Sequence, residues 1–323
     1  MSRQVGATAT SLPTHFRMTS GDLMPSVALG LYQSLPEEAV DAIKLALKAG
    51  YRHFDTAWVY GNESALGQAI RESDVPRNEI WVTTKLWNTF HAPEDVEPIF
   101  NESLKNLGLD YVDLYLMHWP IAHKRGSFGG TTTNHELSED PFPTWQAMER
   151  LVESGRARNI GVSNFNIRRL AKLMSNPMKV TPAINQVEIH LFNPQPEMIK
   201  ASHFMWGEEH GVVIQAWGPL SGSVGRLMLD KALSAPEIKE SAEELGLTPG
   251  QVIMSWHVQR GTVVLPKSVT PSRIIENLHV VKLPDAIFEK IEKAATSYPR
   301  VRLFDPSRSW GLDVFEEGTY QRR

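Results

Sequence analysis

The chain has 323 residues, 41% hydrophobic and 22% charged, with a net charge of −4 and no cysteine. Disulfides and thiolate chemistry are therefore excluded, and without a basic block nucleic-acid binding is not indicated. No apolar run reaches the roughly 18 residues that a membrane helix needs, and residues 1–14 lack the apolar stretch of a secretory signal, so they read as a disordered tail on a cytoplasmic protein.

Residues 16–18 and 23–25 flank Ser20-Gly21-Asp22, the pattern of a small hairpin. After it, apolar strand-like runs alternate with helical patterns. Strands are predicted at 27–31, 53–56, 80–85, 112–118, 159–163, 183–188, 212–217 and 262–266. Their continuous apolar character suits parallel strands buried on both faces. Helix 37–48 places Val40, Ile43 and Leu47 on one face. Helices near 235–245 and 249–259 both precede the eighth strand, so one is additional to the repeat. A further helix near 284–295 starts at Pro284 and groups Ile287, Phe288, Ile291 and Ala295. Eight strand–helix units predict a (β/α)8 TIM barrel with an N-terminal β-hairpin and extra helices, one domain over 15–323. The connections 121–141 and 218–230 leave carboxyl ends of strands, where barrel active sites lie. The stretch 303–323, with Phe304, Trp310 and Phe315, reads as a third covering segment.

The chemistry concentrates at three strand ends. In Tyr51-Arg52-His53-Phe54-Asp55-Thr56-Ala57-Trp58-Val59-Tyr60-Gly61, Asp55 closes a strand and Tyr60 lies in the turn beyond. Lys85 stands at the carboxyl end of the next strand and His118 at the end of the one after. These residues are about 30 apart, the length of one strand–helix–strand unit, so one sheet edge receives all of them. A buried carboxylate needs a cationic partner. A phenol of pKa near 10 is a weak acid at neutral pH unless its pKa is lowered. One lysine would serve both, with Lys85 depressing the Tyr60 pKa and Asp55 holding Lys85. Taken singly the residues have plainer readings: Asp55 as a helix cap, Tyr60 as core filler, Lys85–Asp55 as a structural ion pair. His53, His118 and His190 also raise a metal-hydrolase reading, but the first strand lacks a His-x-His pair.

These motifs resemble the aldo-keto reductase superfamily. The resemblance continues in Gly161-Val162-Ser163-Asn164-Phe165, in Asn185-Gln186-Val187-Glu188 and in Leu265-Pro266-Lys267-Ser268-Val269-Thr270-Pro271, and spans roughly residues 15–300. It implies a catalytic tetrad of Asp55, Tyr60, Lys85 and His118, and an NADPH cofactor. Ser163, Asn164 and Gln186 would hold the nicotinamide carboxamide, with Trp217 stacked on the ring where many relatives carry tyrosine or phenylalanine. Leu220, Lys267, Ser268, Val269, Thr270, Arg273, Glu276 and Asn277 would complete the cofactor site, the 267–273 heptad taking the 2′-phosphate. Tyr32, Trp58, Trp87 and Trp119 would line an aromatic substrate pocket, and no metal is implied. The activity implied is reduction of aldehydes or ketones. A polyol dehydrogenase running in the oxidative direction and a non-catalytic NADPH-binding redox sensor remain open. Monomer is the family default, and a small carbonyl compound is the expected partner.

Overall fold

A computed structural model of the protein describes residues 11–126, 132–204, 211–222 and 226–317. Residues 1–10 of the expected tail, and 127–131, 223–225 and 318–323 of the three expected covering segments, lie outside that set. Two short strands, β1 (His15–Arg17) and β2 (Leu23–Pro25), pair antiparallel around Ser20-Gly21-Asp22, where Gly21 takes a φ of 91°. Then come β3 (Leu29–Gly30), β4 (His53–Asp55), β5 (Trp81–Leu86) and β6 (Val112–Met117). A small antiparallel pair follows, β7 (Ala122–His123) and β8 (Thr133–Asn134). The barrel resumes with β9 (Ala157–Ser163), β10 (Ile184–Glu188), β11 (Val213–Trp217) and β12 (Thr262–Leu265).

The eight parallel strands bond in chain order, β3-β4-β5-β6-β9-β10-β11-β12. Parallel bridges from Val27 to Val264 and from Gly30 to Lys267 close the ring. The Ala28 N–H donates to the Val264 carbonyl at 2.8 Å and the Gly30 N–H to the Pro266 carbonyl at 3.0 Å. This is the (β/α)8 barrel that the element order predicts. No helix among the described residues is long and apolar enough to cross a membrane.

The helices form for local reasons. Pro36–Ala49 opens on a proline, carries Glu37 and Glu38 in its first turn, and stops at Gly50, whose φ of 104° only glycine adopts without strain. Its buried face is Ala39, Ala42, Ile43, Ala46 and Leu47, while Val40 is half-buried. Pro249–Gln259 begins with a full capping box between Thr248 and Gln251. Pro236–Leu245 and Pro249–Gln259 both precede β12, and Asp285–Ser297 packs back on Pro236–Leu245 outside the repeat. Two helices inside the long connections were not foreseen, His135–Glu139 and Arg226–Leu233. Each is too short to show a persistent helical period in sequence.

The strands do alternate, contrary to the uniform apolar reading. Phe54, Val82, Leu86, Tyr115, Met117, Ile160 and Val162 face the helices in the main core. Their neighbours His53, Asp55, Thr83, Lys85, Gln186 and Gln215 bond one another inside the barrel. At the amino-terminal end the interior is apolar instead. There the hairpin brings Phe16, Met18 and Met24 against Trp81, Leu114, Leu116, Ile184 and Val263. The barrel is thus plugged at one end and polar toward the other.

Helix Glu63–Arg71 crosses Pro93–Leu107 at Gly67, where an added Cβ would sit 1.8 Å from the Leu107 carbonyl oxygen. Backbone cannot swing aside as a side chain can. Gly67→Ala is expected to destabilise the protein by about 2 kcal/mol through overpacking. Urea unfolding monitored by tryptophan fluorescence reads the effect, and a loss under about 0.5 kcal/mol would show that the two helices can part freely.

Candidate active site

Parallel register sets Asp55 beside Gly30 on one side and Thr83 on the other. Lys85 stands next to the carboxyl end of β5, and His118 directly follows β6. The Lys85 ammonium donates to Asp55 Oδ1 at 2.6 Å and to the Thr56 carbonyl at 2.8 Å. Its side chain is 0% exposed. Burial pushes the Lys85 ammonium down and the Asp55 carboxyl up, and the attraction between them opposes both shifts. The second carboxylate oxygen of Asp55 accepts from Gln186 Nε2 at 2.7 Å.

Tyr60 reaches this pair through a pinned turn. Thr56 donates to Asn62 Oδ1 at 2.6 Å, and Asn62 Nδ2 donates to the carbonyls of Leu31 at 2.9 Å and Ser34 at 3.1 Å. Between them, Trp58–Tyr60 forms one 3-10 turn that ends at Gly61 with a φ of 67°. The Lys85 nitrogen lies 5.1 Å from the centre of the Tyr60 ring. Two of its three N–H groups are committed, which leaves one for other partners.

The expected depression of the Tyr60 pKa is not found. Burial pushes the phenol well above its ordinary value, and the Asp55 carboxylate and Tyr32 add to the rise. Lys85 spends its charge on Asp55, so desolvation decides. Tyr60 is therefore a fully protonated phenol at neutral pH.

His118 closes the group. Its ring lies 5.7 Å from Tyr60 and 5.3 Å from Trp87, each at 75°. Burial, then the charge of Lys85, then His91 hold it well below its usual pKa, so it is neutral. Its Nδ1 is buried without a hydrogen-bond partner among the described residues.

A cavity of about 640 Å³ opens over this cluster. Ser163, Asn164, Gln186 and Trp217 line its middle, and Leu220, Lys267, Ser268, Arg273, Glu276 and Asn277 line its far end. Asn164 sits in the left-handed region at φ 63°, donates to the His118 carbonyl at 2.9 Å and to Ser163 Oγ at 3.1 Å, and accepts from the Trp217 indole at 3.0 Å. Ser163 Oγ donates to the Gln186 carbonyl at 2.8 Å. At the far end Lys267 and Arg273 are exposed, and neither forms an ion pair among the described residues. Ser268 Oγ accepts from the Thr270 N–H at 3.1 Å, at the start of helix Pro271–Leu278. Glu276 accepts from the Thr248 hydroxyl. Val269 and Thr270 are not on the cavity wall: Val269 packs on the core and Thr270 precedes the helix as its N-cap.

Tyr32, Trp87 and Trp119 line the near end, but Trp58 does not. The 3-10 turn rotates successive side chains by about 120°, so Val59 and Tyr60 face the cavity while Trp58 turns away. Trp58 stacks edge-on against Phe90 and donates its indole N–H to Glu102 at 2.9 Å. Residues from the C-terminal segment complete the wall. Phe304 and Trp310 line it, and Trp119 packs on Phe304, Trp310 and Phe315. The segment is rooted by Glu188 at the end of β10. This buried carboxylate accepts the backbone N–H groups of Leu303 at 2.7 Å and Phe304 at 3.0 Å, and also bonds His190 Nε2 at 3.0 Å. His190 thus serves this carboxylate. The aromatic residues of the segment mark it in sequence as a cover, whereas Glu188 carries no local signal of its role.

Two expectations follow. Removing one partner of a buried pair strands the other charge, at a cost of about 3–5 kcal/mol. Asp55→Asn and Lys85→Met should each cost that much in urea unfolding, and the double variant should cost clearly less than their sum. Additive losses would mean that the pair is not coupled. Acid should also destabilise the fold. Burial holds His91 at about 3 and His123 at about 4, and their ring nitrogens have no partner among the described residues. The unfolded chain binds protons there from about pH 6.5 downward while the folded one does not. Their contribution is complete above pH 6.5 and drains away as the pH falls toward 4 for His123 and toward 3 for His91, by about 2 kcal/mol for His91 at pH 5. His123→Phe should flatten the stability profile between pH 7 and 5, and an unchanged slope would contradict this.

The model of the Aldo/keto reductase family matches residues 27–296. A glycerol 2-dehydrogenase (NADP(+)) of Saccharomyces cerevisiae is 42% identical over 316 residues, with 93% of this chain and 96% of that protein covered. An aldehyde reductase of the same yeast is 38% identical, covering 94% and 98%. The solved aldose reductase of Schistosoma japonicum superposes with a TM-score of 0.83 at 33% identity, covering 95% of this chain and 99% of that one. With the family model spanning most of its length and these relatives matching nearly end to end, the chain belongs to the aldo/keto reductase family.

Proposed function

We propose that the protein uses NADPH to reduce the carbonyl group of an aldehyde or ketone to an alcohol. The observation that carries this reading is a single cavity with two chemically different ends. One end holds a protonated phenol, a neutral imidazole and a buried ion pair; the other holds Lys267 and Arg273, on either side of a helix start and in no ion pair among the described residues.

The residues present fit the cofactor. Lys267, Ser268 and Arg273 offer charge and a hydroxyl to a 2′-phosphate. Glu276 and Asn277 stand beside them for the adenine, and the buried Ser221 Oγ beside Leu220 and Gly222 has no partner among the described residues. Trp217 offers an aromatic face, and the Gln186 amide oxygen has no hydrogen-bond partner among the described residues, with both amide hydrogens in use. When bound, the cofactor supplies the hydride.

The protein's own work is with the proton. Tyr60 donates its phenolic proton to the carbonyl oxygen as charge builds there, and becomes a phenolate. The remaining N–H and the charge of Lys85 stabilise that phenolate, while Asp55 keeps Lys85 charged. His118, neutral, orients the same oxygen by a hydrogen bond. Because the phenol is held protonated, it is ready as an acid without a preceding ionisation. The aromatic wall of Tyr32, Trp87, Trp119, Phe304 and Trp310 suits compact apolar or sugar-like carbonyl compounds. The same groups run in reverse would oxidise an alcohol, the direction that the name of the yeast glycerol 2-dehydrogenase denotes.

Tyr60→Phe is expected to lower turnover, followed as loss of NADPH absorbance over a carbonyl panel, by about 10²–10⁴-fold while NADPH affinity stays level. Near wild-type turnover would remove Tyr60 from the proton step. Arg273→Ala should weaken NADPH about ten- to a hundredfold in a fluorescence titration and leave NADH nearly unchanged. Equal losses for both would put Arg273 on the shared part of the dinucleotide.

A further inference from the structure

A directed chain of hydrogen bonds runs down the barrel axis from the ion pair. Gln186 Nε2 donates to Asp55 Oδ2 at 2.7 Å and to Gln215 Oε1 at 2.7 Å. Gln215 Nε2 lies 3.4 Å from His53 Nε2, with Thr83 Oγ1 at 3.5 Å from the same nitrogen. His53 Nδ1 lies 3.0 Å from the Pro25 carbonyl oxygen. The members are buried: His53 and Gln215 at 0%, Gln186 at 3% and Asp55 at 4% exposure.

Both ends of this chain are obligate acceptors. A carbonyl can only accept, so His53 carries its proton on Nδ1 and its Nε2 lone pair must be served by a donor. Gln215 therefore turns its NH2 toward His53 and its oxygen toward Gln186. At the other end an ionised Asp55 demands donors, so Gln186 turns its NH2 inward. The two constraints agree through Gln215. Reversing that amide alone would set NH2 against NH2, and reversing both amides would set an oxygen against the Asp55 carboxylate. In-register pairing of Gln186 with Gln215 on β10 and β11 holds the side chains in the same row.

We propose that Gln215 and His53 are positioning residues that lock the Gln186 amide with its hydrogens on Asp55 and Gln215, leaving its oxygen as the acceptor offered to the cavity. The first consequence is a second hydrogen bond for Asp55, which supports the Lys85 pair. The second rests on the function proposed above: Gln186 Oε1 becomes a fixed acceptor for the nicotinamide carboxamide. Neither Gln215 nor His53 touches substrate or cofactor; they act through Gln186.

The test uses the full-length protein and two probes. NADPH fills both ends of the cavity. Adenosine 2′,5′-bisphosphate carries only the phosphate-bearing end. Gln215→Leu, with His53→Phe as a second variant that keeps the aromatic volume, should weaken NADPH about five- to tenfold, the loss of roughly one hydrogen bond. Binding of the bisphosphate should not change. Nitrogen-15 NMR of the histidine rings should show wild-type His53 as the Nδ1–H tautomer, and in Gln215→Leu its Nε2 signal should move toward that of an unbonded nitrogen. Unchanged NADPH affinity in both variants, or equal loss for the two probes, would overturn the positioning role. A wild-type His53 protonated on Nε2 instead would overturn the chain itself. If wild-type protein bound neither probe, the cofactor reading would fall, and the His53 signal would still decide whether the amide is locked.

Discussion

A lysine and an aspartate sharing one dry space, 2.6 Å apart inside a barrel, constrain everything around them. Neither charge is tolerable there alone. The pair fixes a minimum set of neighbours: the Thr56 carbonyl for the lysine and the Gln186 amide for the aspartate. Each of those requires partners in turn, and the demand propagates through Gln215 and His53 to the Pro25 carbonyl. This is why the upper interior of the barrel is polar although its strands are largely buried. Below, the hairpin's Met18 and Met24 close the interior with apolar side chains alone.

The same pair sets the electrostatics of the site. A free ammonium at that position would draw the Tyr60 proton off. Because Asp55 balances it, the phenol feels burial more than charge and keeps its proton. His118 is neutral for the same reason of burial, sharpened by Lys85. The groups facing the cavity near the ion pair are thus uncharged and held over a compensated ion pair, an arrangement that suits the proton step proposed above.

Much of this was legible in sequence, for definite reasons. The spacing of Asp55, Lys85 and His118 follows the length of one strand–helix unit, so their convergence could be read without coordinates. The heptad 267–273 was legible because it joins two cations to a helix start. Trp58 was misplaced because a 3-10 turn rotates side chains by a third of a circle, which sequence spacing does not reveal. The Tyr60 pKa was expected to fall because the lysine's charge was counted and the burial of the phenol was not. Gln215 and His53 were invisible as partners, since both lie in strands whose outward neighbours are also buried. Alternation was hidden there by two kinds of burial.

The root of the C-terminal segment on Glu188 has a consequence for how the site is assembled. Asp55, Lys85, His118 and Tyr60 sit on strand ends and one pinned turn, while Phe304 and Trp310 arrive on a strap fastened at Leu303 and Phe304. A second fastening lies farther on, where Asn166, Arg168 and Arg169 hold Phe315 and Glu316. The residues that enclose a guest and those beneath it thus come from different parts of the chain, joined through Glu188, through Glu316 and through Trp119.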